Sequence, residues 1–369
     1  MIISGFKKAM ARGRNWYARY ERPFSSLSLI GGFIFDAVTL RRVDMFWENF
    51  WVVAHLFIVG ACIILVDRQD LEIGAEANPE KTHFWLVNVM QFFFGGILST
   101  YLVFYFRSGA LSTSWPFLLL LVLAFWANES FKREYVRLSF QIVLFYLSLF
   151  AFTIYLVPVL VHAIGPWIFV VSGLASLVLM AGFLALLNYF THYKFSKSKK
   201  VIILSIGLTF LAVNGLYALN IIPPIPLSLK DAGVYHAIEK DPQGDYVVYS
   251  EKRGWFSFLD LFEDFHASST DNVYVYSAIF SPPLLDIKIV HHYEYYDAKN
   301  ERWIDEGKIT LPVLGGRESG FRTYSMRSGL MDGKWRVNVE TENGQVIGTI
   351  RFDVVPPDPN MQFTSEIKS

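Results

Sequence analysis

The chain has a single cysteine, Cys62, among its 369 residues. No internal disulfide can form, and a zinc site built on cysteines is excluded. Charge is scarce as well: 18% of residues are Asp, Glu, Lys or Arg, against about 25% in an ordinary soluble domain. The formal net charge is zero, so no overall field draws the chain to nucleic acid, and no nucleic-acid partner is expected. The sequence also lacks HExxH, GxSxG, GxxxxGKS/T and a Rossmann fingerprint. It nominates no catalytic residue, no metal ligand set and no cofactor.

What is abundant is apolar surface. Hydrophobic residues make up 53% and aromatic residues 17%, with a mean hydropathy of +0.33. Six long apolar segments stand out, roughly Trp47–Val66, Phe84–Phe106, Ala110–Ala127, Val136–Leu160, Pro166–Phe190 and Val201–Ile222. A membrane-spanning helix needs about 20 mostly apolar residues. Five segments meet that easily, and the third is shorter and partly polar. Trp47, Trp51, Trp85, Trp115, Trp126 and Trp167 lie near segment ends, where an interfacial aromatic belt would put them. The chain thus reads as a membrane protein whose first partner is the lipid bilayer.

A seventh segment, Phe24–Leu40, is short and contains Asp36. Basic residues precede it in the manner of a signal peptide, but the basic part is long and no small-residue cleavage pattern follows. The segment is expected to stay as an anchor. Loop charge decides whether it crosses, because cytoplasmic loops are enriched in Lys and Arg. With six spans, nine basic residues fall on each side. With seven, the inside collects Lys7, Lys8, Arg12, Arg14, Arg19, Arg22, Arg68, Lys81, Lys132, Arg133, Arg137, Lys194, Lys197, Lys199 and Lys200. The outside keeps only Arg41, Arg42 and Arg107. The expectation is therefore seven spans with a cytoplasmic N-terminus and the C-terminal region outside.

Residues 1–23 then form a basic cytoplasmic tail and 24–222 a transmembrane helical domain. The prolines of "IIPPIPLSLKDAG" make 223–234 an extended linker. Residues 235–357 change character, with period-two alternation and turn signals, and 358–369 read as a flexible tail. Trp335, Val337 and Val339 face one way on one strand. Val346, Ile350, Phe352 and Val354 do so on the next, with Asn343-Gly344 as the hairpin turn. Further strands are expected at Tyr246–Ser250, Val273–Phe280, Asp286–Tyr296, Lys308–Leu314 and Phe321–Arg327. About seven short strands in this length point to an antiparallel immunoglobulin-like sandwich. The stretch Gly254–Ala267 interrupts them. Trp255, Phe258, Leu259, Phe262 and Phe265 share a helical face, so a helix packed on the sandwich or the helical domain is expected.

Two motifs carry the resemblance to a known family. "ERWIDEGKITLPVLGGRESGFRTYSMRS" and "GKWRVNVETENGQVIGTIRFDV" resemble the bacterial domain of unknown function 2914. The helical half, with "LIGGFIFD", is similar to the uncharacterised multi-span region that can precede this domain. The resemblance implies architecture and a bacterial envelope setting, and it implies no chemistry.

Candidate functional residues are few. In Gly315–Ser325, glycines permit a backbone nest for an anion. Arg317 and Arg322 offer bidentate contacts to a carboxylate or phosphate, and Tyr324 an amphipathic surface. The plain alternative is a turn whose arginines pair with neighbours. His291 and His292 are adjacent on a strand and point to opposite faces, so one inward hydrogen-bonded His and one exposed His are expected. Within the apolar segments, Asp36 and His55 are the ionisable residues to explain. Helix rise puts them about 7 Å apart in depth, which argues against direct pairing. Gly31-Gly32 and Gly95-Gly96 read as close helix contacts.

The leading expectation is an inner-membrane protein presenting a periplasmic sandwich for recognition of a partner protein or an envelope ligand such as a glycan. The alternative is a transporter, or an intramembrane enzyme acting on lipid-linked substrates, using Asp36, His55 and Arg107 with the sandwich as a cap.

Overall fold

The computed structural model describes residues 31, 33–40, 44–73, 84–108, 111–130, 137–242, 244–252, 261–285, 287–315, 319–358 and 361–368. Its first half is helical and its second half is β-sheet. After a helical stretch at 33–39 come α1 (Phe46–Ile73), α2 (Phe84–Ser108), α3 (Leu111–Ser130), α4 (Leu138–Val161) and α5 (Pro166–Ala218). Thr191 has non-helical backbone angles inside α5, which folds it into two helices. Phe169 near its start stacks on Tyr217 near its end, 3.7 Å between centroids. The two halves of α5 therefore run antiparallel.

Among the described residues, five helices are long and apolar enough to cross a membrane: Phe46–Gln69, Leu86–Ser108, Leu138–Val161, Pro166–His192 and Phe195–Ala218. The apolar helix Ser114–Asn128 in α3 is shorter. Of the Phe24–Leu40 segment, residues 24–30 and 32 lie outside the described residues.

The chain folds into two compact units. The first comprises Met1–Phe104, Leu119–Thr153 and Gly173–Ala212. Its helices are joined by hydrogen bonds between buried polar groups. Gln91 Nε2 donates to Asn128 O at 2.7 Å and Asn128 Nδ2 returns to Gln91 O at 3.1 Å, tying α2 to α3. Tyr101 Oη donates to Ser148 O at 2.8 Å, tying α2 to α4. Meanwhile Phe57, Val178, Leu204 and Leu211 point outward and are exposed.

The second unit comprises Tyr105–Leu118, Ile154–Ser172 and Val213–Ser369. It holds all eleven strands among the described residues: β1 Ser228–Tyr235, β2 Ala237–Lys240, β3 Tyr246–Glu251, β4 Glu263–His266, β5 Asn272–Phe280, β6 Ile287–Asp297, β7 Arg302–Val313, β8 Phe321–Ser328, β9 Gly333–Thr341, β10 Val346–Val355 and β11 Phe363–Lys368. They form a five-stranded sheet β4-β10-β9-β6-β7, a middle sheet β1-β5-β8 and a third sheet β11-β3-β2.

The main core lies between the five-stranded and middle sheets. Val275 and Ile279 of β5 meet Ile289 and Tyr293 of β6, Trp335, Val337 and Val339 of β9, and Phe352 and Val354 of β10. Each such side chain contributes about 1.5–3 kcal/mol by leaving water. A second core of Tyr235, Val248, Tyr276 and Ala278 lies on the opposite face of the middle sheet, under the third sheet. Strand β5 is thus buried on both faces. That explains why "VYVYSAIF" reads as an unbroken apolar run rather than an alternation.

Several expectations change. The two-layer picture becomes three layers, and β4 pairs with β10 in parallel, so the β region is not wholly antiparallel. Residues 363–368, read as a flexible tail, pair in register with β3 from Phe363↔Glu251 to Lys368↔Tyr246. Strand β1 begins at Ser228, inside the expected linker. The linker's prolines are buried, and turn bonds from Ile225 N to Pro223 O and from Leu227 N to Pro224 O fold it back. Glu263–His266 of the expected Gly254–Ala267 helix is strand β4, because Phe265 packs edge-on to Phe352 in the sheet core. Residues 253–260 lie outside the described residues.

Candidate functional site

The Gly315–Ser325 segment leads into β8, the edge strand of the middle sheet. Gly315 is there for close packing: a Cβ would come within 2.0 Å of the Pro282 carbonyl oxygen and 2.9 Å of that of Leu285. Those neighbours are acceptors, which is the wrong polarity for an anion. Arg317 lies outside the described residues.

Arg322 is buried. Its Nη1 bonds Asp245 Oδ1 at 2.7 Å and also meets the Lys368 carbonyl, and its Nη2 donates to Gly244 O at 3.3 Å. The guanidinium thus joins β8 to the β2–β3 turn and to β11. It lies 5.5 Å from the Tyr246 ring centroid as a cation–π contact.

Around Arg322 the middle sheet presents a plate of tyrosines. Register puts Tyr276 opposite Tyr324 and Tyr274 opposite Met326. Tyr324 touches Tyr246 and Tyr274 with centroids 5.8 and 6.0 Å apart. The inner tyrosines close the second core, and burial raises the Tyr276 and Tyr235 hydroxyls above their usual range. At the rim Tyr324 is 36% exposed and Met326 50%.

Beside the plate, β1, β3 and β11 line a polar cleft of about 270 Å³, with Asp231, Tyr235, Ser250, Glu251, Thr364, Glu366 and Lys368 on its walls. Lys368 Nζ sits 3.0 Å from Asp231 and 2.9 Å from Glu366. Burial lowers its affinity for a proton, but those carboxylates outweigh the burial and its pKa is raised. Glu251 is held by two histidines. His236 Nε2 meets one oxygen at 3.0 Å; His266 Nδ1 meets the other at 2.8 Å while its backbone N–H donates at 2.7 Å. Burial pushes the Glu251 carboxyl up, and these donors more than reverse it. The three residues lie on separate strands or turns, 15 positions apart in each step, a spacing no short motif would flag.

His291 and His292 point to opposite faces, as expected, but His292 is not the exposed residue anticipated. His291 is buried, with Nε2 2.8 Å from Ser277 Oγ and Nδ1 2.7 Å from Ser325 Oγ. Tyr293 Oη completes the network at 2.7 Å from Ser325 Oγ. Burial pushes the imidazole down to about 4 and the Tyr293 hydroxyl up to about 12. His292 is half-buried on the outer face between Asp305 and Glu340, each at 3.2 Å.

In the first unit, Asp36 and His55 lie within electrostatic reach of each other. His55 Nδ1 donates to Trp51 O at 2.8 Å, and its ring sits against Gly96. The Asp36 carboxylate lies by Ser99 and within electrostatic reach of His55. Arg107 is half-buried in the last turn of α2.

Apolar helices followed by layered β-sheets define the class: an α-helical region joined to an all-β region. Residues 286–354, which run through β6 to β10, match the model of a family described as a protein of unknown function, DUF2914. No curated protein and no solved structure matches the chain.

Proposed function

We propose that the chain is a bacterial inner-membrane protein of seven transmembrane helices with a cytoplasmic N-terminus. Its β region, an immunoglobulin-like sandwich extended by a third sheet, lies in the periplasm and recognises a partner protein. The membrane reading draws on the outward apolar side chains of α1 and α5, which water would not tolerate in such a contiguous band. The orientation draws on the Lys and Arg bias of the loops. The observation that carries recognition is the half-exposed rim of Tyr246, Tyr274, Tyr324 and Met326 around a buried, paired arginine. Tyr, Met and Arg are the residue types enriched where proteins meet, and Lys and Glu are depleted there.

Two measurements test this reading. A periplasm-dependent enzyme fused after Ser369 is expected to be active and a cytoplasm-dependent fluorescent protein at the same place dark; the reverse pattern overturns the orientation. A photo-crosslinking amino acid at Tyr324 of the full chain is expected to give an adduct in cells that the same group at Lys299 does not. Equal yields at the two positions, or none at Tyr324, would remove the recognition surface.

A further inference from the structure

Strand β11 is built inside out. Residues directly opposite each other in a sheet share a face, and β11 pairs Thr364 with Ser250, Glu366 with Val248 and Lys368 with Tyr246. Val248 is fully buried in the second core, so this face of β11 is the one turned to the middle sheet. It carries Thr364, Glu366 and Lys368. The apolar Phe363 and Ile367 alternate onto the other face and are 53% and 62% exposed. A register one residue away would have reversed the two sets and put the apolar side chains inside. Local rules of this kind are broken where a site needs the residues that break them.

The inverted strand forms one wall of the polar cleft of about 270 Å³, with Ser250 and Glu251 of β3 beside it and Asp231 and Tyr235 of β1 across from it. Lys368 Nζ donates to Asp231 Oδ2 at 3.0 Å and to Glu366 Oε1 at 2.9 Å. The second oxygen of each carboxylate has no protein donor among the described residues. Ser250 Oγ and Thr364 Oγ1 stand 3.4 Å apart on the same wall, and a hydroxyl can both donate and accept.

The lining selects the ligand. Asp231, Glu251 and Glu366 repel an anion. A cation gains little, because the Lys368 ammonium already sits between Asp231 and Glu366, and His236 and His266 already hold Glu251. An apolar ligand would strip water from these groups without replacing their hydrogen bonds. What fits is neutral and dense in hydroxyls, which donate to the open carboxylate oxygens and accept from Ser250 and Thr364. We propose that this cleft binds one saccharide unit. Its volume of about 270 Å³ falls just under the about 300–1,000 Å³ of pockets for drug-sized ligands, which suits a single sugar ring. The cleft shares no lining residue with the tyrosine rim, and its chemistry is independent of the membrane placement proposed above.

The test is saturation-transfer difference NMR of the full chain in lipid nanodiscs, prepared without sugar detergents. The probes are glucose, galactose, mannose and N-acetylglucosamine, with glucuronate and methylammonium as the charged comparisons. Saturation should reach the ring protons of at least one neutral sugar. Glu366→Ala removes an acceptor and Thr364→Leu replaces a hydroxyl with an apolar side chain; both positions are exposed, so the second core is kept. Each should weaken that sugar's binding about tenfold, the loss of one hydrogen bond to a polar or charged group. Should one variant lose its near-ultraviolet circular dichroism, the other decides alone. The site is overturned if none of the four sugars receives saturation, or if the folded variants bind as wild type does. Tighter binding of glucuronate or methylammonium than of every neutral sugar overturns the ligand class.

Discussion

Each half of the molecule buries a histidine, and the two sit in different surroundings. His291 sits between two β-sheets with both ring nitrogens bonded to serine hydroxyls, so its environment is complete without a charge. His55 has one nitrogen on a backbone carbonyl and the other against a glycine. The first arrangement locks a neutral ring into a core. The second leaves a basic nitrogen facing the α2 backbone at Gly96. Burial alone does not make a histidine functional; what its second nitrogen faces decides it.

The comparison breaks first if the β core is not what holds the C-terminal half together. Trp335→Ala removes a fully buried ring whose Nε1 donates to Met331 O at 2.8 Å. A loss of about 3–5 kcal/mol is expected, read as a shift in the denaturant midpoint of the near-ultraviolet circular dichroism.

Acid should come next. The folded pKa of His291 lies near 4, below its ordinary value of 6.5, so the unfolded chain binds the proton that the folded chain refuses. Stability is therefore complete above about pH 6.5 and falls as pH drops toward 4, by about 3 kcal/mol. The lowered carboxyl of Glu251 acts in the same direction at lower pH. His291→Phe should flatten the slope between about pH 6.5 and pH 4, and an unchanged slope would show that the network does not keep the ring neutral.

Asp245→Asn leaves the buried Arg322 with carbonyl partners only. It should cost about 2 kcal/mol, less than a fully enclosed pair because Asp245 is partly exposed. The smallest effect belongs to the helices. Gln91→Leu removes the bond from its Nε2 to the Asn128 carbonyl and leaves the Asn128 amide on the backbone carbonyl of residue 91; it should cost about 1 kcal/mol in a detergent titration.

The β strands were legible where one face meets water. The alternation of Trp335, Val337 and Val339 located β9 and its inward side correctly. It was less informative where a strand is covered twice, as β5 is, or where the chain end is recruited. Nothing in "FTSEIK" distinguishes a loose terminus from a third-sheet strand until Arg322 and Lys368 are seen holding it. Helical spacing of Phe262 and Phe265 misled for a related reason: two apolar residues three apart fit a helix face, and the partner Phe352 that makes Phe265 a strand residue lies far along the chain. Of the candidate site residues, Tyr324 lies at a half-exposed rim. Arg322 turned inward to an acid 77 positions away, and such partners are invisible to local pattern.

The buried prolines at 223–226 have a mechanical consequence. A free spacer would act as slack cord, and a load on the β strands would be taken up by straightening it. Here Ile164, between α4 and α5, packs into the main β core, and Gln345 Nε2 reaches the Ile222 carbonyl at 3.4 Å. The stretch after α5 is thus tied to the turn between β9 and β10, and a load on the sheets meets the end of the helical region without first drawing out a spacer.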